Sequence, residues 1–519
     1  MRTKHAIKNI AISIFSQVVI ILLGFASRKV FVDSLGAEYL GVNGLLSNVL
    51  SMMVLIEGGI GISIVYNLYK PLADKNKEKI IALIQLYKKS YTVLAIIMLT
   101  ISAILYPFMG YLMKTDSNIS GMFVVYAIFV GKNIISYMNA YKWALINADQ
   151  KGYILSASNL VFQIATTLGK IAILMVSNNY ILYLLVEVGI FIIQNIINTI
   201  IVYKKYPYLR NKSKYKIDVE TKVNIINNVK AMFLHNIGGY LVFSTDNILI
   251  SAFVGLKAVG IYSNYTMVIS QLSNLLSPVI NGIGAGVGNL IATEDEDKAY
   301  SIFNISFMVS FWIYSFATIF LYNLLDPFIG WLFGEQYLLS KPILIVILLN
   351  FYLTGMRGPI STFKSKAGLF VQDKYISVIE GLINLFGSLI LIKYLGFIGV
   401  FLGTTLSTLL TVFWSQPRVV YKYLFKRDVS SYFKKYVSMM IIMLIAGFVT
   451  TNICNYLISG ISFVSLVLRG LVCVFLINGI YLVLFMKTEE LKYLISALKF
   501  QVHGIKKKVK INDKVANQL

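Results

Sequence analysis

The chain has 519 residues, 57% of them hydrophobic and only 13% charged, with a mean hydropathy of +0.73. Soluble globular chains carry about 45–50% apolar and about 25% charged residues, so an ordinary water-soluble enzyme is excluded. The 47 Lys and Arg against 23 Asp and Glu leave a net charge of +24, which in a soluble chain would point to nucleic acid. Apolar stretches of membrane length point instead to a polytopic membrane protein with no nucleic-acid partner.

A crossing helix needs about 20 mostly apolar residues, and that ruler predicts about fourteen spans. In chain order they are 9–32, 41–69, 90–113, 121–146, 153–176, 180–203, 230–254, 259–291, 301–325, 342–362, 368–392, 396–420, 436–458 and 462–486. The basic N-terminus (Arg2, Lys4, Lys8) leads into a run with no small-residue cleavage site before Arg28, which predicts a retained first span. The spans 41–69 and 259–291 are long for one crossing, so each should tilt or break. Cys454 and Cys473 lie within spans and have no disulfide or metal spacing; packing is the expectation for both. After Thr488, Leu491, Leu494, Ile495, Leu498, Val502, Ile505 and Val509 recur at helical spacing beside Lys506, Lys507, Lys508 and Lys510. That pattern predicts an amphipathic helix on an anionic membrane surface, with a solvated tail as the alternative.

Basic residues favour short cytoplasmic loops. They gather in the N-terminus and in the second, sixth and twelfth connections, around Lys70–Lys89, Lys204–Lys230 and Arg418–Lys435. Odd-numbered connections hold little beyond Lys114, Lys257, Lys341 and Lys393. One even connection dissents with Glu294-Asp295-Glu296-Asp297, read as favourable charge at the start of the ninth helix. Both termini are therefore expected in the cytoplasm.

An internal repeat organises the chain. Leu35-Gly36…Gly41 matches Val254-Gly255…Gly260 at an offset of 219, and Gly59-Ile60-Gly61 matches Gly282-Ile283-Gly284 at 223. Pro107–Leu112 matches Pro327–Leu332 at 220, and Lys142 matches Lys364 at 222. The pairing joins spans 1–6 to spans 7–12, and an even number of crossings keeps both halves the same way up. Parallel repeats of this kind are a transporter architecture. The expected organisation is an all-α membrane protein: a six-helix bundle over 1–205, a basic cytoplasmic linker over 206–229, a second six-helix bundle over 230–425, two extra helices over 430–487 and a basic tail over 488–519.

At Ser27-Arg28…Leu35-Gly36-Ala37-Glu38-Tyr39-Leu40-Gly41, Leu332-Phe333-Gly334-Glu335-Gln336-Tyr337 and Tyr394-Leu395-Gly396-Phe397-Ile398-Gly399-Val400, the chain resembles a known family. This is the polysaccharide-transporter branch of the MOP (multidrug/oligosaccharidyl-lipid/polysaccharide) exporter superfamily, the Wzx-type flippases. The resemblance implies two six-helix bundles in a V and outward export of undecaprenyl-diphosphate-linked sugar units across a bacterial cytoplasmic membrane. It also implies a monomer that takes a lipid-linked oligosaccharide, sits among membrane lipids, and works beside a polysaccharide polymerase and glycosyltransferases. No cofactor is expected beyond a coupling ion, Na+ or H+.

Ionisable side chains within spans are functional candidates by default, the alternative for each being an ion pair across helices. Arg28 matches the arginine of the family's first-span motif, and its guanidinium suits bidentate contact with a diphosphate. Arg357 lies in Gly355-Met356-Arg357-Gly358-Pro359, where Pro359 invites a broken helix. Lys132, Lys170 and Glu57 complete the candidate substrate set. Asp246, Glu380 and Asn384 are candidates for ion coupling, since Glu380 and Asn384 share a helical face and the resemblance places a sodium site in such spans. Pairing of these carboxylates with His235 or Lys170 is the alternative. Gly59, Gly61, Gly282, Gly284 and Pro278 are read as packing or hinge positions, with Pro359 beside them.

A membrane polymerase is the rival class. Three histidines in all, no clustered carboxylates beyond the Glu294–Asp297 run at a helix start, and no phosphate-binding GxxxxGK[ST] loop argue against an enzyme. A lipid-II flippase, a teichoic-acid-unit flippase and a cation-coupled drug exporter are the alternatives among transporters.

Overall fold

The computed structural model describes residues 2–51, 57, 59–113, 121–149, 152–211, 213, 215–227, 229, 245–369 and 372–496; side chains are described at all of these except 2–18, 62, 73, 152, 153, 156, 277–286, 288, 289, 292 and 293. Every element among the described residues is helical. Ten helices there are long and apolar enough to cross a membrane, so the chain is a multi-pass membrane protein.

The helices follow one another closely. Helix α1 covers Arg2–Ser51, α2 Ile60–Ala73, α3 Lys77–Leu105, α4 Met122–Ala148, α5 Gly152–Val176 and α6 Tyr180–Lys205. After the linker come α7 Asp246–Phe253, α8 Leu256–Thr293, α9 Glu296–Phe333, α10 Lys341–Lys366, α11 Ile376–Leu395, α12 Phe397–Leu410, α13 Val412–Val420, α14 Ser430–Leu457 and α15 Phe463–Phe485. Asn179 caps α6 and Asn76 caps α3, each side chain accepting backbone N–H groups that the first turn leaves free.

Several boundaries differ from those expected. The first two spans share one helix whose only break is Gly36, at φ 83, ψ 179. In the long 41–69 stretch Gly59 is left-handed at the start of α2, while 52–56 and 58 lie outside the described residues. The 259–291 stretch lies in one 38-residue helix that continues through Pro278, Gly282 and Gly284. Lys77–Lys89, expected in a loop, are the first turns of α3, because Asn76 starts the helix well before the apolar run. Most of the seventh span, including His235, lies outside the described residues, as does the tail from 497.

Gly36 and Gly255, 219 residues apart, both take positive φ, 83° and 129°. A side chain is disfavoured at each. The repeat is thus expressed in the backbone: the same motif breaks the helix at the same point of both halves.

The chain forms two compact units, Met1–Asn264 with Ser377–Gly403, and Tyr265–Ile376 with Thr404–Leu519. The first has a core of Ile64, Leu83, Tyr87, Leu145 and Val202 from α2, α3, α4 and α6. Its basic linker is strapped down rather than loose. Ser63 Oγ donates to Ile225 O at 3.2 Å, Gln85 Nε2 to Ser213 O at 2.9 Å, and Lys79 pairs with Asp218 at 2.9 Å.

In the second unit, α14 and α15 pack on α9 over Phe307, Phe311, Tyr436 and Tyr481. Trp312 Nε1 donates to Asn478 Oδ1 at 2.7 Å, and Lys435 joins Asn304 at 3.1 Å and Glu490 at 2.7 Å. The dissenting acidic run does what its position predicts, with Asp295 accepting Lys298 N at 2.8 Å, and more besides. Glu296 pairs with Lys426 at 2.5 Å and Asp297 with Arg427 at 2.6 Å, so it neutralises the basic turn before α14. Leu491, expected on the membrane-facing side of an amphipathic helix, is buried against this protein core instead. Cys454 and Cys473 are buried free thiols with sulfurs 4.0 Å apart.

Candidate functional site

Four helices of the first unit bring charge together. Arg28 projects from α1, Lys132 from α4, Lys170 from α5 and Glu187 from α6. Glu187 receives Lys132 on one carboxylate oxygen and Lys170 on the other. The Glu187 side chain is 21% exposed and that of Lys170 17%, so the shared carboxylate works in a largely dehydrated setting. Lys170 also sits 4.3 Å over the Tyr183 ring, a cation–π contact.

Arg28 finds no carboxylate among its hydrogen-bond partners. Its Nε donates to Asn264 Oδ1 at 2.9 Å and an Nη to the Ser263 hydroxyl. Ser263 passes its own proton to Gly260 O at 2.7 Å. The neighbouring Lys29, on another helical face, pairs with Asp33 at 2.9 Å. Asn264 is 1% exposed, and among the described residues its Nδ2 has no hydrogen-bond partner. Such a buried donor is expensive to leave unmade, and it suits an incoming acceptor oxygen.

Aromatic rings line the same region. Phe31 meets Tyr183 at 4.9 Å and Tyr180 at 6.1 Å, and Tyr39 meets Tyr180 at 4.8 Å. Tyr183 is the hub, within electrostatic reach of Arg28, Lys170 and Glu187. Three cations and one carboxylate leave two positive charges in excess, with orphan donor and tyrosine hydroxyls at hand. That is chemistry for a doubly charged anion such as a diphosphate diester.

The remaining predicted residues divide. Among the described residues Glu57 joins no cation: Tyr91 donates its hydroxyl to Glu57, Gly61 N donates to the same oxygen at 3.3 Å, and Tyr87 stands 3.4 Å from Tyr91. It caps the start of α2, and a Cβ at Gly61 would strike both tyrosine hydroxyls and the carboxylate. Gly59 supplies the left-handed turn before that helix. Arg357 belongs to the second unit, where it lines a small cavity with Thr408, Val412, Tyr432 and Tyr436. Helix α10 continues through Pro359 to Lys366, without the break expected there. At Gly355 a Cβ would collide with the Tyr314 ring.

Asp246, Glu380 and Asn384 all belong to the first unit. Asp246 opens α7 with an enclosed Oδ1 that lacks a hydrogen-bond partner, as does Asn247 Oδ1. Glu380 and Asn384 are 3% and 0% exposed, one turn apart on α11. Lys170, the alternative partner for these carboxylates, is engaged by Glu187. No group of three or more His, Cys, Asp or Glu able to hold a metal occurs among the described residues.

Sequence reasoning missed Tyr180, Tyr183, Ser263 and Asn264. None carries charge, and only the arrival of α1 beside α8 gives the last two a role. The double pairing of Glu187 likewise has no signal in the sequence.

Residues 6–283 match the model of a family described as Polysaccharide biosynthesis protein. No curated protein matches the chain. Among solved structures, the lipid II flippase MurJ in an inward closed conformation is similar with a TM-score of 0.66 at 13% identity, covering 92% of this chain and 99% of that one. An inward-facing multidrug resistance MATE family transporter of the MOP superfamily gives 0.55 at 13% identity, over 78% and 98%. A mutant of the Vibrio cholerae MATE transporter VcmN gives 0.56 at 11%, over 81% and 98%. These likenesses concern the fold alone.

Proposed function

This chain belongs to the polysaccharide biosynthesis protein family, and from that premise we propose that it is a flippase. Its substrate is an undecaprenyl-diphosphate-linked oligosaccharide unit, moved outward across a bacterial cytoplasmic membrane for capsule, exopolysaccharide or O-antigen assembly. Both termini and the basic linker then lie in the cytoplasm. The observation that carries the reading is the cluster of Arg28, Lys132 and Lys170 against the single carboxylate Glu187. A cation exporter calls for the opposite excess.

The chain's own residues divide the work. Arg28, freed from Ser263 and Asn264, forks onto one phosphate, and Asn264 Nδ2 supplies a further donor. Lys170 and Lys132 bind the second phosphate in place of part of Glu187. Tyr180, Tyr183 and Phe31 offer ring faces to the first sugar, while the polyprenyl chain stays in lipid. Asp246, with Glu380 and Asn384, serves the coupling ion: a dehydrated carboxylate oxygen without a donor is a place for Na+ or H+. Alternating access returns the empty site to the cytoplasmic side. A polymerase and glycosyltransferases act on the same lipid-linked units, before and after this step.

Reconstitution into liposomes tests the reading. A fluorescent undecaprenyl-diphosphate sugar placed in one leaflet should become accessible in the other with the protein and an imposed ion gradient. No translocation of any lipid diphosphate, from protein shown to be folded, contradicts it.

A further inference from the structure

At the linker end of the first unit, Lys142 of α4 is a half-buried ammonium whose partners are all neutral or repelling. Its Nζ donates to Asn139 Oδ1 at 2.7 Å and to Thr199 Oγ1 at 2.9 Å, and lies 5.5 Å from the Tyr141 ring. The charge that acts on it is another cation, the exposed Lys88 of α3. Among the described residues no carboxylate reaches it. The repeat supplies the contrast: Lys364, the equivalent residue 222 positions on, is paired with Asp373, whose side chain is only 6% exposed. One half of the repeat neutralises this lysine and the other leaves its charge open.

The surroundings of Lys142 are polar well inside α6. Asn195 and Asn198 are 4% and 1% exposed, and Asn195 Oδ1 and Asn198 Nδ2 have no hydrogen-bond partner. Ser158 Oγ of α5 donates to Asn198 Oδ1 at 2.7 Å, and Gln194 Nε2 to Asn159 Oδ1 at 2.6 Å. A seam of amides and hydroxyls thus runs between α5 and α6, beside a cation with no anion among the described residues. Tyr206 donates to Asp149 at 2.6 Å, tying the ends of α4 and α6 so that the seam opens where the basic linker lies.

We infer that Lys142, with Thr199, Asn139 and Lys88, is an anion site that takes a phosphate group of a membrane lipid. Phosphate suits it: a tetrahedral oxyanion accepts from one ammonium while the second, exposed lysine screens it, and Lys binds phosphate as a point charge. Lys142 and Lys132 are ten residues apart on one helix, about 15 Å along its axis, so the site precedes the Arg28 cluster along the bundle. The identity of the lipid rests on the flippase reading, under which Lys142 is the loading position of the substrate diphosphate. The phosphate chemistry does not depend on it.

The test is equilibrium binding to the full-length protein in detergent. The probes are farnesyl diphosphate and dioleoylphosphatidylglycerol, with dioleoylphosphatidylcholine as the neutral control. Lys142→Gln keeps hydrogen bonds to Asn139 and Thr199 but removes the charge; it should weaken at least one anionic probe about tenfold. Lys142→Arg should stay within about threefold of the parent, and Lys89→Gln, an exposed neighbour, should change nothing. A loss confined to farnesyl diphosphate places the site on the transport path, and a loss confined to phosphatidylglycerol makes it a lipid site. Either supports the assignment. Equal affinity of Lys142→Gln and parent for both probes overturns it, as does an equal loss in Lys89→Gln. Should Lys142→Gln not fold, Thr199→Val is measured in the same way, and unchanged binding overturns the site. Failure of the flippase reading shows separately, as wild-type protein that binds phosphate lipids but translocates no lipid-linked diphosphate.

Discussion

Gly41 and Gly260 hold reciprocal places in one helix crossing. A Cβ on Gly41 would strike the carbonyl oxygen of Leu256, and a Cβ on Gly260 would strike that of Ala37. Each glycine and the residue that its Cβ would hit are matched across the 219-residue offset: Gly41 with Gly260, Ala37 with Leu256. Within the first unit these two repeated segments therefore meet through the same backbone surface, as a two-fold contact requires. Ser263, one turn along α8, accepts from Arg28 and donates to Gly260 O, so the crossing also positions the arginine.

Gly41→Ala and Gly260→Ala should each force the backbones apart and destabilise by about 1–3 kcal/mol. Thermal unfolding of purified protein checks this, and the double variant should lose less than the sum because both act on one contact. Gly189→Ala is the control: its Cβ would meet nothing within 4 Å, and alanine is the better helix former by about 1 kcal/mol. A melting temperature of Gly41→Ala equal to the parent's would mean that the helices are not in backbone contact.

Glu187 holds two lysines at once. Glu187→Gln leaves Lys132 and Lys170 facing one another without an anion, at an expected loss of about 1–3 kcal/mol, less than for a fully buried pair because both lysines keep some water. The same change removes the one carboxylate that, among the described residues of the cluster, competes with a diphosphate. A lower melting temperature together with tighter farnesyl diphosphate binding is the expected pair of results. Weaker binding would show that Glu187 orients the lysines rather than competing with the ligand.

Asp218 fastens the linker. The Lys79 ammonium, with the Thr221 hydroxyl and N–H, holds its carboxyl well below the usual carboxylate range. A depressed carboxyl stabilises the tether above its unfolded value, about 3.9, and the effect is lost as pH falls through the folded value. The tether is therefore complete throughout the neutral range. Asp218→Asn imitates the protonated form at pH 7, and trypsin should then cut after Lys205, Arg210 or Lys216 several-fold faster. Equal cleavage rates would show that the remaining bonds to Ile225 and Ser213 hold the strap by themselves.

The sequence made the membrane class, the repeat and most helices legible, because an apolar run of fixed length has few physical readings in lipid. Arg28 was legible as a costly intramembrane cation. Its partners were not: Ser263 and Asn264 are ordinary polar residues until the glycine crossing brings α8 against α1. The surroundings of Glu57 were not legible either: an intramembrane carboxylate suggests a cation, whereas the Tyr91 hydroxyl and the Gly61 N–H at a helix N-terminus are what meet this one. Boundaries failed where capping overrides hydropathy, as at Asn76, which starts α3 among lysines. The acidic run before α9 showed its cap by position, but its pairing with Lys426 and Arg427 depended on a turn about 130 residues away.

The role of Arg28 is the centre of the account, and complementation in a capsule-producing host that lacks its own copy measures it. Arg28→Ala at normal protein level should abolish polymer export and leave lipid-linked repeat units accumulating at the inner leaflet. Arg28→Lys should restore only a small part, since one ammonium cannot reproduce the guanidinium fork. Full export by both variants, with no accumulated intermediate, would contradict a diphosphate site built on Arg28.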